Sequence, residues 1–290
     1  MLTILFEDRD EAMFVYERLL MKKITSFHYM KVKLDEKKVN VSCKKQAKAC
    51  LKNIIVPTLV EFIVTMKEAR WMASLLQKQF YYEDIEEIDY IVTIGKDILY
   101  GKRKDLSGSD FVSTRKKKIT HALEDFMSFS ISFSIEGFFQ FRLRTYIHHL
   151  LLVTQRAIDE YQLEQEYQVL IDELRTRVND VEEGLPIAHV VYENGFTLYD
   201  DMYERIDCSM LDSIDEENGM DTEVLAPLIY YAPRKIYMYT KTIDIPLIVT
   251  VLNVFQDRVT ICNLQDFLTN RIQGSKSGEN EEKYTKELDF

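Results

Sequence analysis

The stretch IEGFFQFRLRTYIHHLLLVTQRAIDEYQLEQEYQVLIDELRTRVND, Ile135–Asp180, decides the fold. It contains no Pro and, after Gly137, no Gly, so nothing in it interrupts a helical backbone. Its apolar residues recur in steps of three and four: Ile135, Phe139, Leu143, Tyr146, Leu150, Val153, Ala157 and Tyr161, then Tyr167, Ile171, Leu174 and Val178, with Val181 just beyond. That spacing predicts one long helix, or two nearly continuous ones, with a single buried stripe. Ser134 has the chemistry of an N-cap, and Glu136 stands in the first turn, where the helix dipole favours an acid.

Upstream of this helix the chain reads as a small α/β piece followed by further helices. Thr3 to Phe6 is an expected strand, Asp8 an expected cap for a helix over Asp10–Met21, and Phe27–Leu34 with Lys38–Ser42 two strands around Asp35–Glu36. Lys45–Phe80 is periodic, with Pro57 expected to break or kink it near Val56, and Tyr82–Leu99 is a second helix. Gly101–Asp110 is the clearest internal loop, Ser113–Phe129 resumes helix, and Phe129–Phe133 is a short extended link. Downstream, His189–Tyr192 and Phe196–Asp200 flank Asn194-Gly195, a strong hairpin signal. Residues 211–223 form an acidic loop, and Leu228–Tyr231 with Lys235–Tyr239 reads as a second strand pair. Ile245–Phe255 is a helix and Arg258–Asn263 a closing strand. The expected class is α+β, mainly α. It comprises a small N-terminal α/β element (1–42), a helical middle with one very long helix (43–183), a C-terminal mixed α/β region (184–273) and a polar, disordered tail (274–290).

Charge is segregated along the chain. Residues 1–158 carry a net charge of +6, residues 159–223 carry −17 and the remainder is neutral, for a total of −11. Such polarity provides basic surface in the first half and acidic surface in the middle. Four scattered cysteines without CxxC spacing predict reduced thiols rather than a disulfide framework. The opening MLTILFEDRDEAMF places acids directly after a short apolar run, unlike a secretory signal, and nowhere do 18 consecutive apolar residues occur. A cytoplasmic protein without a membrane span is expected.

Reaction motifs are missing. Around Gly95 and Gly101-Lys102 the P-loop spacing fails, and Arg103 stands where Ser or Thr is required; GxGxxG, HExxH and GxSxG do not occur. His148-His149 are helical neighbours about 100° apart, a poor metal pair, with one expected against the core and the other on a polar neighbour. In the acidic loop, placing Gly219 at the sixth position of a calcium loop puts Ile214 where its first acid belongs. Cys43 and Cys50, read as two turns apart on one helix face, are too far apart for a disulfide or a shared zinc. No metal and no cofactor is therefore expected. Arg142, Arg144, Arg156, Asp159, Glu160, Glu164 and Glu166 are candidates for ion pairs within the long helix, Arg156 and Glu160 being four apart. Two basic clusters remain, one over Lys31–Lys52 and one of Lys102, Arg103, Lys104, Arg115, Lys116, Lys117 and Lys118. Phosphate backbones attract such patches, although no nucleic-acid-binding motif accompanies them.

EGFFQFRLRTY (Glu136–Tyr146) and AIDEYQLEQEY (Ala157–Tyr167), together with the strand–helix opening and the ending VFQDRVTIC (Val254–Cys262), resemble the YtxC family of sporulation proteins. The resemblance spans nearly the whole ordered chain. It implies a cytoplasmic protein of spore formation with no established reaction. Its fingerprint would comprise Glu136, Gly137, Phe138, Phe141, Arg142, Tyr146, Asp159, Glu160 and Tyr161. The family's ending continues past RVxIC into further cysteines, whereas NLQDF follows Cys262 here, so no metal or redox role of that ending carries over. The leading expectation is a non-enzymatic protein acting through a protein partner. Nucleic-acid or anionic-surface binding by the basic half comes second, and an unrecognised enzyme third.

Overall fold

A computed structural model describes residues 1–26, 29–43, 46–103, 110–181, 184–193, 195–208, 224–269 and 271–272. The acidic loop 211–223, the tail 274–290, Lys104 and most of the loop after Gly101 lie outside the described residues. The fold is α+β and mainly α, in two compact units that divide after Glu164.

The first unit opens with β1 (Leu2–Leu5), α1 (Arg9–Ser26), β2 (Met30–Asp35) and β3 (Lys38–Cys43). Asp8 caps α1 by accepting from the Glu11 N–H at 2.9 Å. β2 and β3 form a hairpin, β1 runs antiparallel to β3, and β4 (Ser132–Ser134) adds itself parallel to β1, giving the order β2-β3-β1-β4. The extended link expected at 129–133 is thus a sheet strand. Leu2, Ile4, Val39 and Val41 point inward at strand alternation, and their core continues without interruption into the helices that follow.

Helix α2 (Ala47–Lys78) continues through Pro57 without the break that is one of the two expectations there. Two π turns, Leu51–Ile55 and Ile63–Lys67, explain how. The N–H of Val56 reaches back five residues to the Leu51 carbonyl, so the wider turn ends where the proline ring needs room. By length and composition α2 could cross a bilayer, yet here it is the core helix of its unit, burying Ile55, Leu59, Phe62, Ile63, Met72 and Leu76. α3 (Ile85–Leu99) starts three residues later than expected because Asp84 is its cap, accepting from the N–H groups of Glu86 and Glu87 at 2.7 and 3.2 Å. Gly95 of α3 lies so close to Met72 that a Cβ there would sit 2.8 Å from its sulfur. α4 (Asp110–Phe126) follows.

The deciding stretch forms α5 (Ile135–Arg142) and α6 (Arg144–Asp180), parted only at Leu143. Ser134 caps α5 through the Gly137 N–H at 3.0 Å, as its chemistry predicted. The stripe buries Ile135, Phe139, Leu143, Tyr146, Leu150, Val153 and Ala157 in the first unit, and Ile171, Leu174 and Val178 in the second.

In the second unit, β5 (Ile187–Tyr192) and β6 (Phe196–Tyr199) make the expected hairpin. β7 (Lys235–Tyr239) and β8 (Val259–Cys262) extend it in parallel, in the order β6-β5-β7-β8. The predicted strand at Leu228–Tyr231 is instead part of helix α7 (Leu225–Tyr231), closed by Ala232 in a left-handed conformation (φ 39°). Seven residues are too few for a period to separate strand from helix. Crossover helix α8 (Pro246–Phe255) joins β7 to β8, and residues 264–269 are helical. Ala188, Val190, Leu198, Ile236 and Met238 form one face of this sheet and pack with α7, α8 and the end of α6.

Two further expectations change. His148 is exposed and His149 half-buried, its Nδ1 2.6 Å from the Thr145 carbonyl, so neither enters the core. Cys43 ends β3 while Cys50 lies in α2, and the two thiols are in hydrogen-bonding contact. Burial first, and then Cys43, pushes the Cys50 thiol up to about 12.

Candidate functional site: two buried ionic networks on helix α2

The second π turn of α2 ends at Lys67, a fully buried lysine. Its Nζ donates to Glu7 at 3.0 Å and Glu11 at 2.7 Å, and also meets Glu136. Arg70 contacts Asp8 and donates to Glu11 at 2.8 Å. Glu11, itself wholly buried, therefore receives both cations. α1 supplies Glu11 from its first turn, and the residues leading into α1 supply Glu7 and Asp8. The first turn of α5 supplies Glu136. Every shift in the cluster fixes its charges. Burial works against the Lys67 ammonium, but hydrogen bonds to Glu11, Glu136 and Glu7 outweigh it and raise its pKa. Arg70 is raised in the same way against its own burial, chiefly by Asp8. The hydrogen bond from Lys67 lowers Glu7, and Asp8 is lowered despite burial by the Glu11 N–H and Arg70.

Glu68, the next residue, builds a second network. Its Oε1 accepts from Arg115 Nε at 3.1 Å and from the Tyr146 hydroxyl. Arg115 also donates to the Leu99 carbonyl and lies 5.0 Å over the Tyr100 ring, while its NH2 nitrogen has no hydrogen-bond partner among the described residues. All three side chains are buried, and burial raises the pKa of Glu68 and of Tyr146.

Carboxylate oxygens of Glu7, Glu11 and Glu136 converge within 4.8 Å, the donor set of a hard divalent ion. The Lys67 ammonium bonds to all three, so the cluster already contains its cation. An amine nucleophile would need a lowered pKa, the reverse of what surrounds Lys67.

The fingerprint residues scatter over these networks and their surroundings. Glu136 joins the first network and Tyr146 the second, while Phe138 packs in the core against Phe126, Phe133 and Phe139. Glu160 and Glu164 bind Arg103 at 2.7 and 2.9 Å. Tyr161 donates to Glu87 at 2.9 Å, and that bond above all pushes it up to about 12. Phe141 is 72% exposed, Asp159 is exposed, and Arg142 stacks 5.5 Å over Phe126 beside an open cleft of about 510 Å³ shared with Lys117, Lys118 and His121. Within the basic run, Lys102 pairs with Asp97 at 2.7 Å and Arg115 is internal, whereas Lys116, Lys117 and Lys118 face outward. Sequence reasoning missed Glu7, Glu11, Lys67, Glu68 and Arg70 as a centre. The available signal was a Lys-Glu pair set within the apolar run IIVPTLVEFIVTM and its continuation.

With this fold and these networks, the chain belongs to the YtxC-like family, whose sequence model matches residues 53–260. It is similar to the uncharacterized protein YtxC of Bacillus subtilis (strain 168), with 31% identity over 273 residues that cover 92% of this chain and 96% of that relative. No solved structure matches it.

Proposed function

We propose that this protein is a cytoplasmic, sporulation-associated protein that acts non-catalytically, through contacts with another protein. The observation that carries the reading is the charge state of the ionic network around Lys67 and Arg70. Lys67 and Arg70 are raised while Glu7 and Asp8 are lowered, so each ion is fixed by its neighbours. A general acid, base or nucleophile has to exchange a proton near neutrality, which calls for shifts of the opposite sign. Glu68 is raised, but it is buried and its partners Arg115 and Tyr146 are internal. Glu136, Tyr146, Glu160 and Tyr161 serve the fold in the same way. The outward-facing Phe141 and Arg142, beside Lys117 and Lys118, are the natural contact surface.

The test is affinity capture of the tagged chain from cells entering sporulation, with and without nuclease, comparing the wild type with Phe141→Ser. A discrete protein that survives nuclease and is lost from the variant supports the reading, and heat-resistant spore counts in a strain lacking the relative connect it to spore formation. Capture of nucleic acid alone would overturn it.

A further inference from the structure

The second unit has a cleft of about 540 Å³ on the sheet face opposite its core, which no part of the proposal above uses. β5 and β7 bring His189 and Tyr237 side by side there, and β7 and β8 bring Tyr239 beside Cys262. The turn after β6 adds Asp201 and Tyr203, and the helical residues 264–269 add Asp266.

At its floor, His189 is 4% exposed. Its ring lies stacked against Tyr203 (centroids 4.3 Å, planes 20° apart) and Tyr237 (5.4 Å, 14°). Nδ1 is 3.0 Å from the Tyr239 hydroxyl, and Nε2 has no hydrogen-bond partner among the described residues. The ring is enclosed, yet Nε2 is not among the sealed-off polar atoms, so a ligand in the cleft can reach it. The backbone adds a second sign of purpose. Tyr203 is held left-handed (φ 62°), a strained conformation for an aromatic residue. Asp200 pins that turn, accepting from the N–H groups of Met202 at 3.0 Å and Glu204 at 2.8 Å. The Tyr203 ring of this turn lies over the imidazole.

Charge and shape then define what fits. Burial lowers the pKa of His189 against the pull of Asp200 and Asp201, so the ring is neutral at pH 7. The donor in the Nδ1–Tyr239 hydrogen bond is set by the tautomer, and in the Nδ1–H tautomer Nε2 is free to accept. Two carboxylates, Asp201 and Asp266, stand at the exposed rim. Lys235 lies 4.8 Å over the Tyr237 ring, so one tyrosine of the cleft already holds a cation, and Tyr203 and Tyr239 are its other tyrosine faces. Among the described residues, metal-ligand atoms converge only at Glu7, Glu11 and Glu136, which favours an organic cation over a metal here. The volume is that of a small-molecule site.

We propose that this cleft binds a small organic ammonium compound against the faces of Tyr203 and Tyr239. His189 Nε2 accepts one of its N–H groups, and Asp201 with Asp266 balances its charge. The test titrates the full chain with benzylammonium, benzyl alcohol and benzoate, following heat and the ¹⁵N resonances of His189. Benzylammonium is expected to bind and to move the Nε2 signal, with the neutral alcohol at least about tenfold weaker and benzoate weaker still. Asp201→Asn with Asp266→Asn, both surface changes, is expected to weaken benzylammonium by about tenfold without altering the melting curve. Equal affinity for the three probes would overturn the proposal. So would unchanged binding in the double variant, or no shift of the Nε2 signal at about 10 mM benzylammonium.

Discussion

Replacing Lys67 by Met keeps the apolar stem and removes the one charge that holds three carboxylates together. Removing one member of a buried ion pair costs about 3–5 kcal/mol, because the remaining charge stays in a poorly solvated place. The geometry selects the lower end of that range. The side chain of Glu7 is 65% exposed and that of Glu136 36%, so water can take over their solvation. Glu11 is wholly buried and is the group left stranded, but it retains Arg70 at 2.8 Å. A loss of about 3 kcal/mol is therefore expected, on the order of 10 °C in melting temperature for a domain of this size. Trp71, the sole tryptophan, packs against Phe139 in the same unit, so its fluorescence reports this transition directly. Adding Glu11→Gln removes the stranded charge, and the double variant should recover about 1–2 kcal/mol relative to the sum of the two single changes. A Lys67→Met protein within about 1 kcal/mol of wild type, or strictly additive changes, would refute an ammonium-centred network.

Stability of the first unit should also fall at both pH extremes. Glu7 and Asp8 have folded pKa values below their ordinary 4.5 and 3.8, so their contribution is present above those values and is lost as pH falls through the lowered ones. Glu68 is raised and works the other way, so the acid loss should be shallower than those two groups alone would give. Lys67 is raised above 10.5, so its contribution lasts to that pH and is lost as pH rises through the folded value; Trp71 fluorescence melts should show a smaller alkaline loss in Lys67→Met. Arg103→Ala frees Glu160 and Glu164 at a half-exposed site and should cost only about 1 kcal/mol by urea unfolding, with the difference shrinking in high salt. Gly184→Ala would place a Cβ 1.8 Å from the Ala232 carbonyl oxygen, so backbone must move, and a loss of about 2–3 kcal/mol is expected in circular-dichroism melts of the second unit.

Much of this fold was legible because its signals are local. The stripe from Ile135 to Val178, the Ser134 cap, the Asp8 cap and the Asn-Gly hairpin each follow from a few adjacent residues, and each stands where its chemistry predicts. α7 was misread because LAPLIYY is equally apolar on all sides, and its left-handed stop at Ala232 has no signature in the residue type. The ionic centre was hidden for another reason. Glu7, Glu11, Lys67 and Glu136 come from three separate stretches, and only the packing of α1 and α5 onto α2 brings them together. Arg115 sat unnoticed in a basic run, where nothing distinguishes the buried arginine from the three exposed lysines that follow it. Glu136 and Tyr146 were singled out by family resemblance, but that resemblance could not say that they serve two different networks on consecutive residues of one helix.

The π turns of α2 bear on how this chain can lengthen and shorten over time. A π turn confines one surplus residue to a single loop of helix and leaves the faces on either side where they were. Losing a residue from Leu51–Ile55 or Ile63–Lys67 would let that loop close as ordinary α-helix, whereas losing one from the intervening Val56–Phe62 would rotate everything beyond it by about 100°. α2 therefore has two places where its length is negotiable by one residue, and the second is the turn that ends in Lys67. Related chains of slightly different length are expected to carry their gaps there, and a lineage that closed the second turn would have to find its central cation again.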